Sequence, residues 1–512
     1  MVSKIIKEKS TIFTCSISTF VIGLLAHAYS YFHDSFSHDA LGAIYATVSE
    51  NNWKIALGRF FVPLYRAVFR GGIALPWMIG VLALIWIGLS VYLVAKIFSI
   101  TSRGVIILLA GIMTTNLTVT ATTATFLYEL DVDMFALLMA TLAVFLWHKY
   151  GRGWLIGTVF VSVALGIYQA YISVTISLVI LVLICEIVRE NPIKQVILRG
   201  IRSVCMLILG GILYIVSLKI VCSVTRISLA DNYNGLVSIL RLSPVEFPKL
   251  IIAAYQDWFS TFLHPKAMYL GRLLDFFNAA ILIFIGMSMV MLAGPSKHLT
   301  CFSRMMLLIL GALLPLGMNI SYVLSGGMVH DLMRYAFWFT YLWGILLAYE
   351  TNVTCNTNRG KVNSMLKSSI CFLVSVVIWN NLQVSNALYL KKNLEQEAAL
   401  SLMTRVADRL EMLPGYVGGE TPVVFVGTPS SASIMPGFES ISEIDGAASA
   451  NVLTYNTCGM YEAYFSYILN SPINLASTVW TNFQTDARVA EMPSFPNLES
   501  IQKLDGVVVI KM

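Results

Sequence analysis

Thr11–Tyr31 reads TIFTCSISTFVIGLLAHAYSY and runs directly into Phe32-His33-Asp34-Ser35-Phe36-Ser37-His38-Asp39. The first stretch is 21 residues without Asp, Glu, Lys or Arg, and about 20 apolar residues suffice to cross a bilayer. Lys4, Lys7 and Lys9 precede it, a pattern shared with signal peptides, but the run is long enough to span and no small-residue cleavage motif follows. It therefore reads as a first membrane helix that ends abruptly in two Asp-His pairs.

The rest of the chain supports that reading. A length of 512 residues would ordinarily allow three or four soluble domains. However, 57% of the residues are hydrophobic and only 12% charged, with a mean hydropathy of +0.74. Soluble domains carry about 25% charged residues. Collagen, disordered, disulfide-scaffold and nucleic-acid-binding classes are excluded with them. Ten more apolar segments follow near 74–98, 104–122, 134–149, 154–168, 172–188, 203–222, 273–293, 305–324, 336–350 and 368–388. The expected fold is an all-α polytopic membrane protein of about eleven transmembrane helices. Segments 154–168 and 172–188 are short and meet at Gln169–Tyr171, as a tight helical hairpin would.

Charge divides the chain. Residues 389–512 carry a net −6 and the preceding 388 a net +12. With the N-terminus inside, sixteen Lys and Arg fall in inner loops, whereas the short outer loops 123–133, 169–171 and 325–335 share only Arg334. The positive-inside tendency thus predicts a cytoplasmic N-terminus and an outer C-terminus. Two domains are expected: a membrane domain, 1–388, with outer loops 32–73 and 223–272, and an outer tail, 389–512. In the tail, a helical pattern at 390–412 stops at Pro414-Gly415, and Thr421–Gly427 and Val507–Lys511 read as strands. This is a small α/β domain. No internal repeat is visible, which weakens an inverted-repeat transporter. Eight cysteines form no CxxC or Cys/His cluster, against a disulfide framework or zinc site.

Polar residues gather on the outer side. Asp34 and Asp39 stand where the first segment leaves the bilayer, and either could serve as general base toward a sugar hydroxyl, tuned by His33 and His38; helix capping is the plainer alternative. Arg59, Arg66 and Arg70 are spaced to share one face of a helix. That face reads either as a site for a lipid-linked phosphate, through bidentate guanidinium contacts, or as a headgroup anchor. Glu129, Asp131 and Asp133 form an acidic outer loop whose DxD pair reads as metal ligand, cavity lining or helix cap. Tyr168, Gln169 and Tyr171 suit a polar cavity wall or an aromatic belt. Trp258, beside Asp257, suits sugar recognition or re-entrant packing. Asp331 and Arg334 are spaced to pair with each other.

The order and membrane placement of these residues resemble the GT-C glycosyltransferases. Within that class the chain is similar to the bacterial and phage serotype-converting glucosyltransferases of O-antigen, the glucosyltransferase II family. The likeness rests on His33-Asp34, Leu57-Gly58-Arg59-Phe60 with Pro63, Asp131-x-Asp133 and Gly166-x-Tyr168-Gln169-Ala170-Tyr171, over about residues 10–350. It implies an inverting hexosyltransferase in the bacterial inner membrane, with a periplasmic C-terminal domain. The implied donor is undecaprenyl-phosphate-glucose, and the acceptor a sugar of the lipid-linked O-antigen. By that analogy Asp34 is the base, with Asp39 second, and Arg59, Arg66 or Arg334 holds the departing phosphate. His33, His38, Glu129, Asp131, Asp133, Tyr168, Gln169, Tyr171 and Trp258 would line the cavity. No cofactor is expected: only the bare DxD could take a divalent metal, and arginine can stabilise a phosphate leaving group by itself. The rival readings are a flippase or transporter of a lipid-linked sugar, and an O-antigen polymerase or ligase.

Overall fold

The computed structural model describes residues 2–33, 41–44, 47–230, 246–265, 270–294, 299–350, 360–427, 460–476 and 480–512. Asp34, His38 and Asp39 lie outside them. The chain is mostly helical. Its first ten helices are α1 (Val2–Phe32), α2 (Val48–Ala56), α3 (Phe61–Phe69), α4 (Pro76–Ile97), α5 (Arg103–Thr115), α6 (Leu117–Thr125), α7 (Leu127–Lys149), α8 (Gly153–Ile167), α9 (Ile172–Val188) and α10 (Ile193–Thr225). There follow α11 (Phe247–Leu263), α12 (Arg272–Ala293), α13 (Cys301–Met318), α14 (Ile320–Leu324), α15 (Phe339–Glu350), α16 (Gly360–Glu411) and α17 (Met460–Tyr467).

Among the described residues, nine helical stretches are long and apolar enough to cross a membrane, as in a multi-pass membrane protein. They are α1, α4, α5 with α6, α7, α9 with its preceding turn, α10, α12, α13 and α16. The other two expected segments, 154–168 and 336–350, correspond to the shorter helices α8 and α15, of 15 and 12 residues. α15 is nearly all buried, wrapped by its neighbours in the bundle core.

Two departures from the expected segments matter for the site. The fourth segment begins at Leu127 rather than 134, so Glu129, Asp131 and Asp133 belong to the first turns of α7 and not to a loop. The third segment is broken. Asn116 adopts an extended backbone (φ −64°, ψ 153°) between α5 and α6, and its side-chain oxygen caps α6 by accepting from Val119 N at 3.0 Å. A break at membrane depth is tolerable only where the freed backbone groups find partners. They do: Asn116 Nδ2 donates to the carbonyls of Ile112 and Met113, each at 3.0 Å. Tyr335 Oη donates to Met113 O at 2.7 Å, and His27 Nε2 lies 2.9 Å from Thr114 O. A carbonyl only accepts, so Nε2 carries the proton there.

Beyond the bundle, α16 continues unbroken from Gly360 to Glu411, so residue 388 falls inside a helix. A small mixed sheet follows, built from β1 (Pro422–Val426), β2 (Asn474–Leu475), β3 (Ile501–Leu504) and β4 (Val507–Lys511) in the order β2-β1-β4-β3. β1 is parallel to β2 and β4, and β3 and β4 form an antiparallel hairpin. Its turn is Asp505-Gly506, both at positive φ (51° and 84°), the backbone that a two-residue hairpin of matching twist requires. The sheet's core includes Val423, Phe425, Tyr464, Phe465 and Ile510, and one face of α16 at Ala399, Met403 and Val406 closes it. Leu41, from the short turn Leu41–Ala43 in the first loop, is buried in the same core.

Candidate functional site

The site grows from an elbow between α2 and α3. Thr47 caps α2, its Oγ1 accepting from Glu50 N at 3.1 Å. The chain then turns at Gly58, where φ is +79°, a conformation that disfavours any side chain. Space also demands glycine: a Cβ there would stand 2.6 Å from Tyr214 Oη and 2.9 Å from Gln169 Nε2. Gln169 Nε2 donates to Leu57 O and to Tyr214 Oη, both at 3.0 Å, and Tyr214 Oη donates to Gly58 O at 3.1 Å. Gly166 lets Phe61 approach equally closely, since a Cβ would meet its ring at 2.6 Å. Arg59 sits over the Tyr168 ring, 4.3 Å from its centroid. Two stretches more than a hundred residues apart, Leu57-Gly58-Arg59-Phe60 and Gly166–Tyr171, are thus one packed unit.

The elbow aims its bases at the start of α7. Glu129 Oε1 is 2.5 Å from Arg66 Nη2 and 2.9 Å from Lys54 Nζ. Glu50 Oε1 joins them at 3.5 and 3.2 Å, and Arg66 Nη1 donates to Asn51 Oδ1 at 3.3 Å. Arg70 Nη2 donates to Tyr128 O at 2.5 Å, and its Nε lies 3.3 Å from Asp131 Oδ2, close enough to pair but not aligned for a hydrogen bond. Burial opposes the charge on Arg66, but Glu129 and Glu50 outweigh it and hold the guanidinium above its ordinary pKa. In low dielectric each of these charges depends on the others.

This arrangement corrects two expectations. Arg59, Arg66 and Arg70 do not share one face of a single amphipathic helix: α3 begins only at Phe61, Arg59 precedes it, and Arg66 and Arg70 point inward to carboxylates rather than to headgroups. The DxD pair is helical, so Asp131 and Asp133 diverge by about 200° around α7 and do not form a chelate. Among the described residues, no three of His, Cys, Asp and Glu are grouped to share a metal ion.

A second ion cluster joins α11 to the turn before α15. Arg334 Nη2 is 2.7 Å from Asp257 Oδ1, and its Nη1 is 2.5 Å from Asp331 Oδ1. Asn319 Nδ2 donates to Asp257 Oδ2 at 3.0 Å and to Ala254 O at 2.9 Å. Thr118 of the broken helix donates to Asp331 O at 2.8 Å. Tyr171 is buried, its ring 5.8 Å from that of Tyr335 and 5.9 Å from Tyr168.

Some candidates are not brought together. Trp258 is buried among Phe259 and Phe262, with ring centroids at 4.9 and 5.2 Å, so its partners are aromatic. His33 turns back on α1, its ring stacked 4.0 Å from Tyr29 and its Nδ1 2.8 Å from Tyr29 O. Sequence reasoning singled out neither Lys54 nor Asp257 as a site residue, although both are integral to the clusters. The available signal was a surplus of outer-loop bases matched by the acids of α7.

Both clusters lie at the bundle end where α1 stops. Comparison with curated proteins and with solved structures finds no match. The family model for glucosyl transferase GtrII matches residues 28–349, a span that contains every member of both clusters and the Gly58–Gln169–Tyr214 unit. Membership implies an enzyme that transfers a glucosyl group in O-antigen modification, with a glucose donor and an acceptor. The chain belongs to the glucosyl transferase GtrII family.

Proposed function

We propose that this protein moves glucose from undecaprenyl-phosphate-glucose to a sugar of the lipid-linked O-antigen, with inversion, at the periplasmic face of the bacterial inner membrane. The reading rests most on one observation: Leu57–Phe60, the acidic start of α7 and Gly166–Tyr171, which carry much of the family likeness, pack together around the buried Arg66–Glu129 pair. In the reaction, Asp34 takes the proton of the acceptor hydroxyl, the acceptor oxygen forms the bond to C1 of glucose, and undecaprenyl phosphate leaves with the electron pair. Asp39 is the second candidate for that base.

The arginines divide the remaining work. Arg66 is buried and held by two carboxylates, which suits it to fixing the elbow against α7. Arg334 retains 12% side-chain exposure and can exchange a carboxylate for a donor phosphate. Arg59, over Tyr168, extends the positive wall. A groove lined by Ile252, Tyr255, Phe259 and Leu263 runs along α11, the helix that carries Asp257, and offers an apolar path for a polyprenyl chain.

The test uses membranes with labelled undecaprenyl-phosphate-glucose. Label entering O-antigen supports transfer. Label that only crosses the bilayer makes the protein a flippase, and longer O-antigen chains without added glucose make it a polymerase.

A further inference from the structure

Lys392 lies on α16 just past Tyr389. It is 5% exposed, and its Nζ has no hydrogen-bond partner. Glu395 is buried beside it and attracts it, but Lys391 Nζ also faces that carboxylate, 3.9 Å from Oε1. Two amines thus face this carboxylate, and burial works against the charge on Lys392. Burying such a charge is unfavourable unless an anion joins it.

Its neighbours place it. One to two turns before Lys392, Val384, Leu388 and Tyr389 pack on Ala121 and Ala124 of α6, with Tyr29 and Leu332 against them. Tyr29 is in the last turns of α1, and Leu332 stands between Asp331 and Arg334. Two to three turns after Lys392, Ala399 and Met403 share a core with Leu41. The described residues on both sides of the Asp34–Asp39 loop therefore flank this stretch of α16. The bases Lys54, Arg66, Arg70 and Arg334 each have a carboxylate within 3.3 Å.

We propose that Lys392 binds the phosphate of a phosphorylated polyprenyl lipid, beside Arg334. This rests on the donor proposed above. As the bond from glucose C1 to the phosphate oxygen breaks, the electron pair passes to that oxygen, and a phosphodiester monoanion becomes a monoester dianion. The phosphate favours the ammonium form of Lys392, which balances the added charge in a low-dielectric setting. A compact ammonium serves as a point charge for phosphate. Lys392 lies beyond the span matched by the family model.

The experiment takes the full-length protein in nanodiscs, with undecaprenyl phosphate as probe and phosphatidate and phosphatidylglycerol as headgroup controls. Lys392→Met should weaken undecaprenyl phosphate binding at least tenfold, slow glucosyl transfer, and raise the unliganded melting temperature, because a buried amine without a hydrogen-bond partner has been removed. Lys392→Arg should recover part of the binding. A Lys392→Met protein that binds the probe like wild type, or that melts at a lower temperature, makes Lys392 a structural partner of Glu395 and overturns the assignment. Equal competition by phosphatidate overturns it in favour of a headgroup site. Transfer that is unchanged in Lys392→Met removes Lys392 alone, whereas wild-type protein that fails to transfer from the labelled donor removes the proposed function with it.

Discussion

Arg66 Nη2 and Glu129 Oε1 meet at 2.5 Å, joining a short helix of the first loop to the opening turn of a membrane helix 63 residues away. Both side chains are buried, and Lys54 shares the same carboxylate. α3 is thereby tied to the start of α7. Glu129→Gln should leave two buried cations with only Glu50 to share between them and destabilise the protein by about 3–5 kcal/mol. Melting of the solubilised protein checks this, and the double variant Arg66→Met/Glu129→Met should lose less than the two single losses combined. Strict additivity would mean that the pair is not coupled.

Asp34→Asn should slow glucosyl transfer by about 10²–10⁴-fold while the protein inserts at normal abundance, because an amide cannot accept the acceptor proton. Asp39→Asn should be milder. Steady-state transfer in membranes, normalised to protein level, decides between them; activity lost only in the Asp39 variant moves the base five residues onward.

Arg334→Lys keeps the charge but cannot span Asp257 and Asp331 with one planar fork. If the donor phosphate meets this residue, kcat should fall by about 10²-fold and donor KM should rise. Acceptor KM should be unchanged. A variant that melts earlier but keeps its donor kinetics would make Arg334 a tie between α11 and the turn at Asp331.

Gly58→Ala puts a methyl group 2.6 Å from Tyr214 Oη at a positive φ. The backbone alone costs about 1 kcal/mol, and the displaced hydroxyl breaks the Gln169 chain. Transfer should fall sharply. Adding Tyr214→Phe removes the clashing oxygen and should restore part of the activity; no restoration would place the damage in the backbone.

A reporter active only outside the cytoplasm should work when fused after Met512 and be silent within 351–367. The opposite result would move both ion clusters to the other face of the membrane.

The membrane helices were legible where hydropathy alone decides, as for Pro76–Ile97 against an expected 74–98. The start of α7 was not. Glu129, Asp131 and Asp133 end any hydropathy window early, and the bases that make their burial tolerable come from residues 54–70, which no local window contains. For the same reason the arginines looked like a surface stripe: spacing shows which residues share a face, not what that face meets. Gly58 and Pro63 were in view, but that Gly58 turns the chain between two helices depends on Tyr214 and Gln169. The tail strands at 422–426 and 507–511 were readable from apolar runs, whereas the passage of α16 through 388 was hidden by its change from apolar to amphipathic.

That unbroken helix sets a gearing between the two parts of the protein. Each residue of α16 advances the chain by about 1.5 Å and 100°, so the direction in which the tail faces is fixed by the phase of the membrane span beneath it. One residue inserted between Leu388 and Ala399 would swing the surface that receives Leu41 about 100° away. Seven would bring it back within about 20° but lift it by about 10 Å. A tail grafted from another member of the family will engage only if the splice preserves both angle and height, and if the Leu41 segment travels with it.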